Sequence, residues 1–426
     1  MVRFGFFALA FAALAAREPV VNLRLEAPFD ELFQTSKTTP DYAVDGMLTD
    51  GTGAPGPVKI SVRGHTSRRE TECVFPKLKV QRADGTTLRL GTHCGEAADD
   101  QLSAKYGRLP NEKSPWREVA IYQILDALGV PALRAKSARV TYLYPDGRHV
   151  ERNALIVEDD DEAAKRMGGT KTVEPEEFTT ADQMFERADA VTLAFAEALV
   201  GNFDWCVKFS ANDTYRCDAR MKLWNVIGVK MPTGKVRPVM HDFDVSGMVT
   251  GSHTWFKSVF NAGYVESGSE REIEVLGQVQ RTRTLFPRAE LDAARKRFAA
   301  KRTEAYRALD EATVDADGRA ILKDYLDAFF RAIETNEQFY RPVVVAPGAV
   351  PRSAPGPSAP AICPALGAIP VGTPVTEPRE TQGDSVQVVV LDALWHWATP
   401  RHCAPIKTGP VWIPAASISR EFPARR

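Results

Sequence analysis

Apolar and polar positions alternate with period two over roughly residues 20–91, the pattern of strands with one buried face. Val58, Ile60 and Val62, with polar residues between them, form the clearest run. The polar stretch Arg63, Gly64, His65, Thr66 and Ser67 ends it, residues 75–80 form a second strand, and Ala83, Asp84 and Gly85 turn the chain into a third near 88–90. At Ser114 the period lengthens. Ser114 reads as an N-cap and Pro115 as the first helical residue, with apolar residues at Val119, Ile121, Leu125 and Leu128 before Gly129 stops the helix. Residues 139–144, the turn Pro145, Asp146, Gly147 and residues 153–158 then predict a hairpin.

The second half is mainly helical in period. Residues 181–199 predict one long amphipathic helix that runs straight into Gly201, Asn202, Phe203, Asp204 and Trp205. Residues 223–229 and 236–240 read as paired strands about the turn at Pro232 and Gly234, and further helices are expected near 288–312 and 320–339. Strands followed by helices predict an α+β chain. Beyond Tyr340, ten prolines between Pro342 and Pro378 alternate with Ala, Gly, Ser and Val and charge nearly vanishes, which predicts a semi-extended linker over 342–371. Short strands are expected at 384–391, 394–398 and 411–413.

Composition narrows the function classes. At 426 residues the chain has room for two or three domains, and a 44% hydrophobic fraction can build their cores. With 54 Lys+Arg against 55 Asp+Glu the net charge is −1, so a broadly basic nucleic-acid binder is excluded. The N-terminus carries one early charge, Arg3, and an apolar run over 4–16. That run is shorter than the roughly 20 residues a spanning helix needs, and Ala13 and Ala15 flank Leu14 as a small-x-small site. These features predict a signal peptide over 1–16 and an exported protein (periplasmic, cell-surface or extracellular) with no transmembrane segment after cleavage. A buried N-terminal helix is the alternative reading. The six cysteines fit export as disulfides; six allow 15 connectivities, and sequence proximity favours Cys73–Cys94, Cys206–Cys217 and Cys363–Cys403.

The sharpest candidate chemistry is His241-Asp242-Phe243-Asp244, directly after the strand at 236–240. Two carboxylates two positions apart at a strand end can reach one hard cation, which prefers oxygen ligands; the bland alternative is a turn whose aspartates cap backbone amides. Asp204 lies ahead of it in a loop closing a helix, with Asn212 eight residues on. An orienting carboxylate, an amide and then a metal-gripping aspartate are the order that phosphoryl transfer uses. Upstream, Lys77 and Lys79 share a strand face by their i, i+2 spacing, and Glu118, early in the next helix, is placed as a partner for such a lysine. Glu118 reads equally as an acid compensating the helix dipole. The turn starting at Arg63 offers cations and amides for phosphates, or is a plain hairpin loop. Zinc-hydrolase spacings, a nucleophile elbow and a Walker lysine loop do not occur.

Together these segments resemble the spore-coat protein H (CotH) kinase family, an atypical branch of the protein-kinase-like fold. The resemblance rests on VKISVRGHTS, FPKLKV, ILDALGVPALRAKSARVTYL, ALIVED, GNFDW and PVMHDFDVSG, in family order across about residues 20–340. It implies a two-lobed body over 17–341, with a sheet-rich lobe (about 20–160) and a helical lobe (about 161–341). It also implies ATP with Mg2+ or Mn2+ as cofactors and a serine or threonine of a protein substrate as acceptor. Carried over by position, Lys77 or Lys79 contacts phosphate with Glu118 as partner. Arg63 helps bind the nucleotide, Asp204 is catalytic, and Asn212, Asp242 and Asp244 hold metal. Family members carry the Asn closer behind the Asp-Trp pair, so Asn212 sits after a small insertion bracketed by Cys206 and Cys217.

Residues 372–426 resemble a small all-β, bacterial SH3-like barrel, through Gly409, Trp412, Pro414 and Ile418, with two residues inserted before the tryptophan. Such modules bind peptides or cell-wall material, and Trp395, Trp397 and Trp412 are its candidate groove or core aromatics. Two other function classes stay open: a non-catalytic, pseudokinase-like envelope protein that uses this module, and a divalent-metal hydrolase built on Asp242 and Asp244.

Overall fold

The computed structural model describes residues 19–64, 68, 75–92, 113–211, 222–251, 270–362, 364, 367–369, 371–390 and 409–421. The expected signal peptide lies outside these residues, as do Asn212, Trp395, Trp397 and every cysteine but Cys206, which is disulfide-bonded. The expected pairings therefore have at most one described end.

The alternating first segment closes into a seven-stranded barrel. Its elements are β1 (Val21–Glu26), α1 (Phe29–Thr35), β2 (Ala43–Asp50), β3 (Gly56–Val62), β4 (Leu78–Arg82) and β5 (Thr87–Gly91), then α2 (Ser114–Ala127), β6 (Ala135–Leu143) and β7 (His149–Val157). The strand order is β1-β2-β3-β4-β5-β7-β6, all antiparallel except the closing parallel pair β1–β6. Val58, Ile60 and Val62 point into the barrel, where they meet Leu25, Leu78, Val80, Val140 and Tyr142. Phe29 of α1 packs edge-on against Tyr142 at 5.3 Å. β4 begins at Leu78, two residues after Pro76, so Lys77 stands just outside the regular strand. In α2, Ser114 is the first helical residue rather than the cap, which falls on Lys113. The helix still ends where expected, at Gly129 with φ of 70°.

The helical half carries α3 (Asp160–Arg166), β8 (Lys171–Val173), α4 (Ala181–Met184), α5 (Arg187–Val200), β9 (Cys206–Val207), β10 (Leu223–Trp224), β11 (Val226–Lys230), β12 (Val236–Met240) and α6 (Gly247–Thr250). It continues through α7 (Glu270–Thr282), α8 (Arg288–Ala300), α9 (Arg302–Glu311), α10 (Ala316–Glu334) and α11 (Asn336–Phe339). The helix expected over 181–199 is two. Phe185 is extended, fully buried, and bridges Val236 in parallel, so a tertiary docking contact overrides helical period. The helices expected over 288–312 and 320–339 are likewise broken, at Lys301 and Thr335. Asn225, with φ of 52°, divides the expected strand 223–229 into β10 and β11.

The proline-rich stretch is not an independent linker in its packing. β13 (Val343–Val344) pairs with β17 (Ile418–Ser419), while β14 (Glu380–Gln382), β15 (Ser385–Val388) and β16 (Val411–Pro414) make a three-stranded sheet. Val344, Ala349 and Ile369 share one core with Val386, Val388 and Ile413. Prolines supply no N–H, but the residues between them do: Ile369 donates to Ala349 O at 3.0 Å, and Arg352 and Trp412 exchange backbone bonds at 2.9 and 3.0 Å. Interleaved valine and isoleucine thus join a neighbouring core that the stretch could not build alone. Trp412 is buried here rather than groove-lining. Arg283, in the turn just after α7, ties this unit to the helices by donating to the carbonyls of Arg341 and Arg420.

Candidate active site

The site forms where β12 ends beneath α2. Met240 donates to Pro131 O at 3.0 Å and accepts from Leu133 at 3.1 Å, so the strand is stitched to the chain just after α2. The next residues turn sharply. Asp242 adopts a left-handed φ of 63°, a conformation costing a non-glycine residue roughly 1 kcal/mol. Two groups of α2 hold this turn: the Tyr122 hydroxyl accepts from the Asp242 N–H at 3.1 Å, and Glu118 Oε1 accepts from the Phe243 N–H at 3.3 Å. Phe243 is fully buried, edge-on to Tyr122 at 5.0 Å.

The turn aims both aspartates at Lys77. Its ammonium is paired with Asp242 and lies 3.0 Å from Asp244 Oδ2. Lys77 is only 12% exposed at its side chain. Burial opposes its charge, but Asp242, Asp244 and Glu118 outweigh that and hold its pKa above the ordinary value. Glu118 is pushed up to about 8 by burial, with Asp244 and Asp242 adding repulsion that Lys77 only partly offsets. Asp242 is brought down to about 2: burial works against its charge, but Lys77 and His241 prevail. Burial instead raises Asp244. One ammonium therefore serves two unequal carboxylates.

Asp204 reaches the site from the other side. α5 ends at Gly201, whose φ of 61° favours glycine and where a Cβ would lie 2.4 Å from the Tyr325 ring. Asn202 Oδ1 accepts from the Asp204 N–H at 2.9 Å, and Asn225 Nδ2 donates to both the carbonyl and, at 3.1 Å, the carboxylate of Asp204. Asp204 keeps an exposed surface, yet desolvation by the surrounding protein, with Asp244 and Asp242 adding repulsion, raises its pKa to about 6.

The structure thus joins Lys77, Glu118, Asp242 and Asp244, and brings Asp204 within their field. Arg63 lines the same cleft, with Tyr122, His241 and the apolar walls Leu133, Leu155 and Val157. Two expectations shift. Lys79 sits exposed on β4, between Ser61 and Arg89 in register, while Leu78 and Val80 fill the barrel. Glu118 is close enough to help raise the lysine's pKa, but the lysine's ion pairs are with the aspartates, and Glu118 holds the backbone of the turn instead. Asn212 lies outside the described residues. Sequence reasoning passed over Tyr122, one helical turn after Glu118, and Asn225, a polar interruption in an apolar run; those two spacings were the available signals.

Among the described residues no group of three or more His, Cys, Asp or Glu is arranged to hold a metal ion. Two carboxylates that converge on one cation do exist, and the Lys77 ammonium stands there as that cation. Such a pair fits Mg2+ or Mn2+ shared with phosphate oxygens, since Mg2+ is usually held by one or two carboxylates plus substrate. No helix among the described residues is long and apolar enough to cross a membrane.

No family model matches the chain, and no curated protein does. Among solved structures it is similar to the Helicobacter pylori proinflammatory kinase CtkA, with a TM-score of 0.31 and 9% identity over 60% of this chain and 87% of that one. It is also similar to the Golgi casein kinase, with a TM-score of 0.35 and 8% identity over 65% of this chain and 71% of that one. The same kinase solved with Mn/ADP bound aligns at a TM-score of 0.33 and 8% identity, over 61% of this chain and 69% of that one. At TM-scores this low the superpositions carry no argument.

Proposed function

We propose that the chain is an exported, atypical (CotH-like) protein kinase that moves the γ-phosphoryl group of ATP to a serine or threonine hydroxyl of a protein. One observation carries this reading: a buried lysine from the barrel and two aspartates after β12 converge across one cleft, with a third carboxylate facing them. Positioning and charge neutralisation are what phosphoryl transfer asks of a protein.

In this reading Lys77 turns from the aspartates to the nucleotide phosphates, and Arg63 adds positive charge at the same end of the cleft. Asp242 and Asp244 would hold the divalent ion, which when bound neutralises phosphate charge. Asp204 accepts the proton of the attacking hydroxyl while the new oxygen–phosphorus bond forms and the bond to the leaving ADP oxygen breaks. Asn225 and Asn202 keep that carboxylate aimed. Leu133, Leu155 and Val157 supply the apolar wall that a nucleobase packs on. Export and a peptide or cell-wall ligand for the C-terminal unit belong to the same proposal, on the sequence features alone.

A phosphate-transfer assay with labelled ATP on the full chain, wild type against Asp242→Ala, tests the reading. Labelling lost in the variant is expected. Equal labelling in both, or none in either, overturns the enzymatic reading; nucleotide binding without transfer would leave a non-catalytic binding protein.

A further inference from the structure

The helix that carries Glu118 and Tyr122 is bolted to the helical half by its neighbour, Arg117. The Arg117 side chain is 8% exposed and pairs with Asp315 through two parallel bonds, Nε to Oδ1 at 3.0 Å and Nη2 to Oδ2 at 2.9 Å. Its remaining terminal nitrogen donates to Val249 O at 3.2 Å. Asp315 is itself fixed, because it caps α10 by accepting from the Gly318 N–H at 3.2 Å. Lys113 adds a looser contact to the same carboxylate at 3.7 Å. The joint leaves no slack: a Cβ on Gly318 would lie 2.7 Å from both Arg117 Nε and Asp315 Oδ1.

The two ends of the metal-site segment are therefore held from one helix. Tyr122 and Glu118 grip its start, at the Asp242 and Phe243 amides, and Arg117 grips its end, at Val249 in α6. Most of α2 is buried, and it packs on α9, α6 and α10 as well as on barrel strands β6 and β7. We infer that Arg117 is a positioning residue: through Asp315 it locks α2 against the helical half, and so presets the turn that aims Asp242 and Asp244. A planar guanidinium with two bonds to one carboxylate fixes orientation as well as distance, which a lysine cannot do. The cleft is in consequence assembled before any nucleotide arrives. This last consequence rests on the kinase reading; the lock itself does not.

The test is amide hydrogen exchange on the nucleotide-free full chain, read at residues 238–247 and, as an internal control, at barrel strands β3 and β4. Arg117→Met is the first variant. Asp315→Asn is the second, because asparagine keeps the shape and the helix cap while removing the charge. Exchange at the Asp242 and Phe243 amides about tenfold faster, with the barrel unchanged and Arg117→Lys only partly restoring protection, is the expected result. A lowered melting temperature with unchanged exchange at those two amides would show a merely structural pair and overturn the inference. Affinity for a fluorescent ATP analogue is measured alongside, with about tenfold weakening expected in Asp315→Asn. Wild type that fails to bind the analogue, while the exchange result holds, removes the kinase reading and keeps the lock. Binding equal in wild type and both variants, with exchange unaltered, removes the lock and keeps the kinase reading.

Discussion

The Lys77 ammonium is ion-paired with the Asp242 carboxylate across 165 residues of sequence. Both groups are largely withdrawn from water, at 12% and 33% side-chain exposure, and Asp244 shares the same ammonium. The pair joins the barrel to the helical half at one point of charge. Removing a partner from a buried pair strands the other charge, which costs more than the pair itself is worth.

Lys77→Met leaves Asp242 and Asp244 facing each other without a cation. We expect it to destabilise the chain by about 3 kcal/mol and to abolish phosphate transfer. Mg2+ should recover more stability in this variant than in wild type, because the two carboxylates then need a counter-ion. Lys79→Met, at an exposed position, should change neither melting temperature nor transfer rate. Thermal melts of both variants with and without Mg2+ decide the matter; equal losses in the two would contradict the assignment of Lys77.

Asp204, with its pKa raised to about 6, can accept a proton only once it has lost its own. Transfer should therefore rise with pH through about 6 and level off above it. Asp204→Asn should lower the rate by about 10²–10⁴, the range for a general base, and abolish that limb. A pH–rate profile of wild type and variant reads this directly.

Glu118 keeps its proton up to about 8 when folded, whereas a free glutamate loses it near 4.5. The folded state thus holds the proton more tightly, and stability drains away as pH rises between those values. Glu118→Gln retains an oxygen to accept from Phe243 while removing the ionisation. The melting-temperature difference, variant minus wild type, should grow from pH 4 to pH 8. A difference independent of pH would show that Glu118 does not titrate in this window.

Asn225 sits at φ of 52° and donates twice to Asp204. Asn225→Gly permits the backbone but removes both bonds, so it should cut the transfer rate about tenfold and lower stability by about 1–2 kcal/mol, each bond contributing on the order of 1 kcal/mol. Asn225→Ala loses the bonds and adds left-handed strain, roughly another 1 kcal/mol. Rates and melts of the two variants separate aiming from folding.

Part of this site was legible from the chain. Local spacing located the Asp242 and Asp244 pair at a strand end, Asp204 after a helix, and Glu118 in the first turns of another helix, because each depends on short-range geometry. The helix break at Phe185 was not legible, since burial against Val236 decides it. Nor was the role of the proline-rich stretch, whose Val344 and Ile369 find their core partners only in β15 and β16.

Period-two and helical patterning alone settled that the first segment is a sheet with an inner face, that α2 follows it, and which residues point at a core. Such patterning records that a face is covered, never what covers it. Lys77 and Lys79 look equivalent by spacing; only the arrival of α2 and the turn after β12 over one of them separates a buried ion pair from a solvated side chain. The exchange of Glu118 for two aspartates as partners of Lys77 has the same origin. Ion-pair partners are set by which distant segments pack together, and a one-dimensional period carries no information about that.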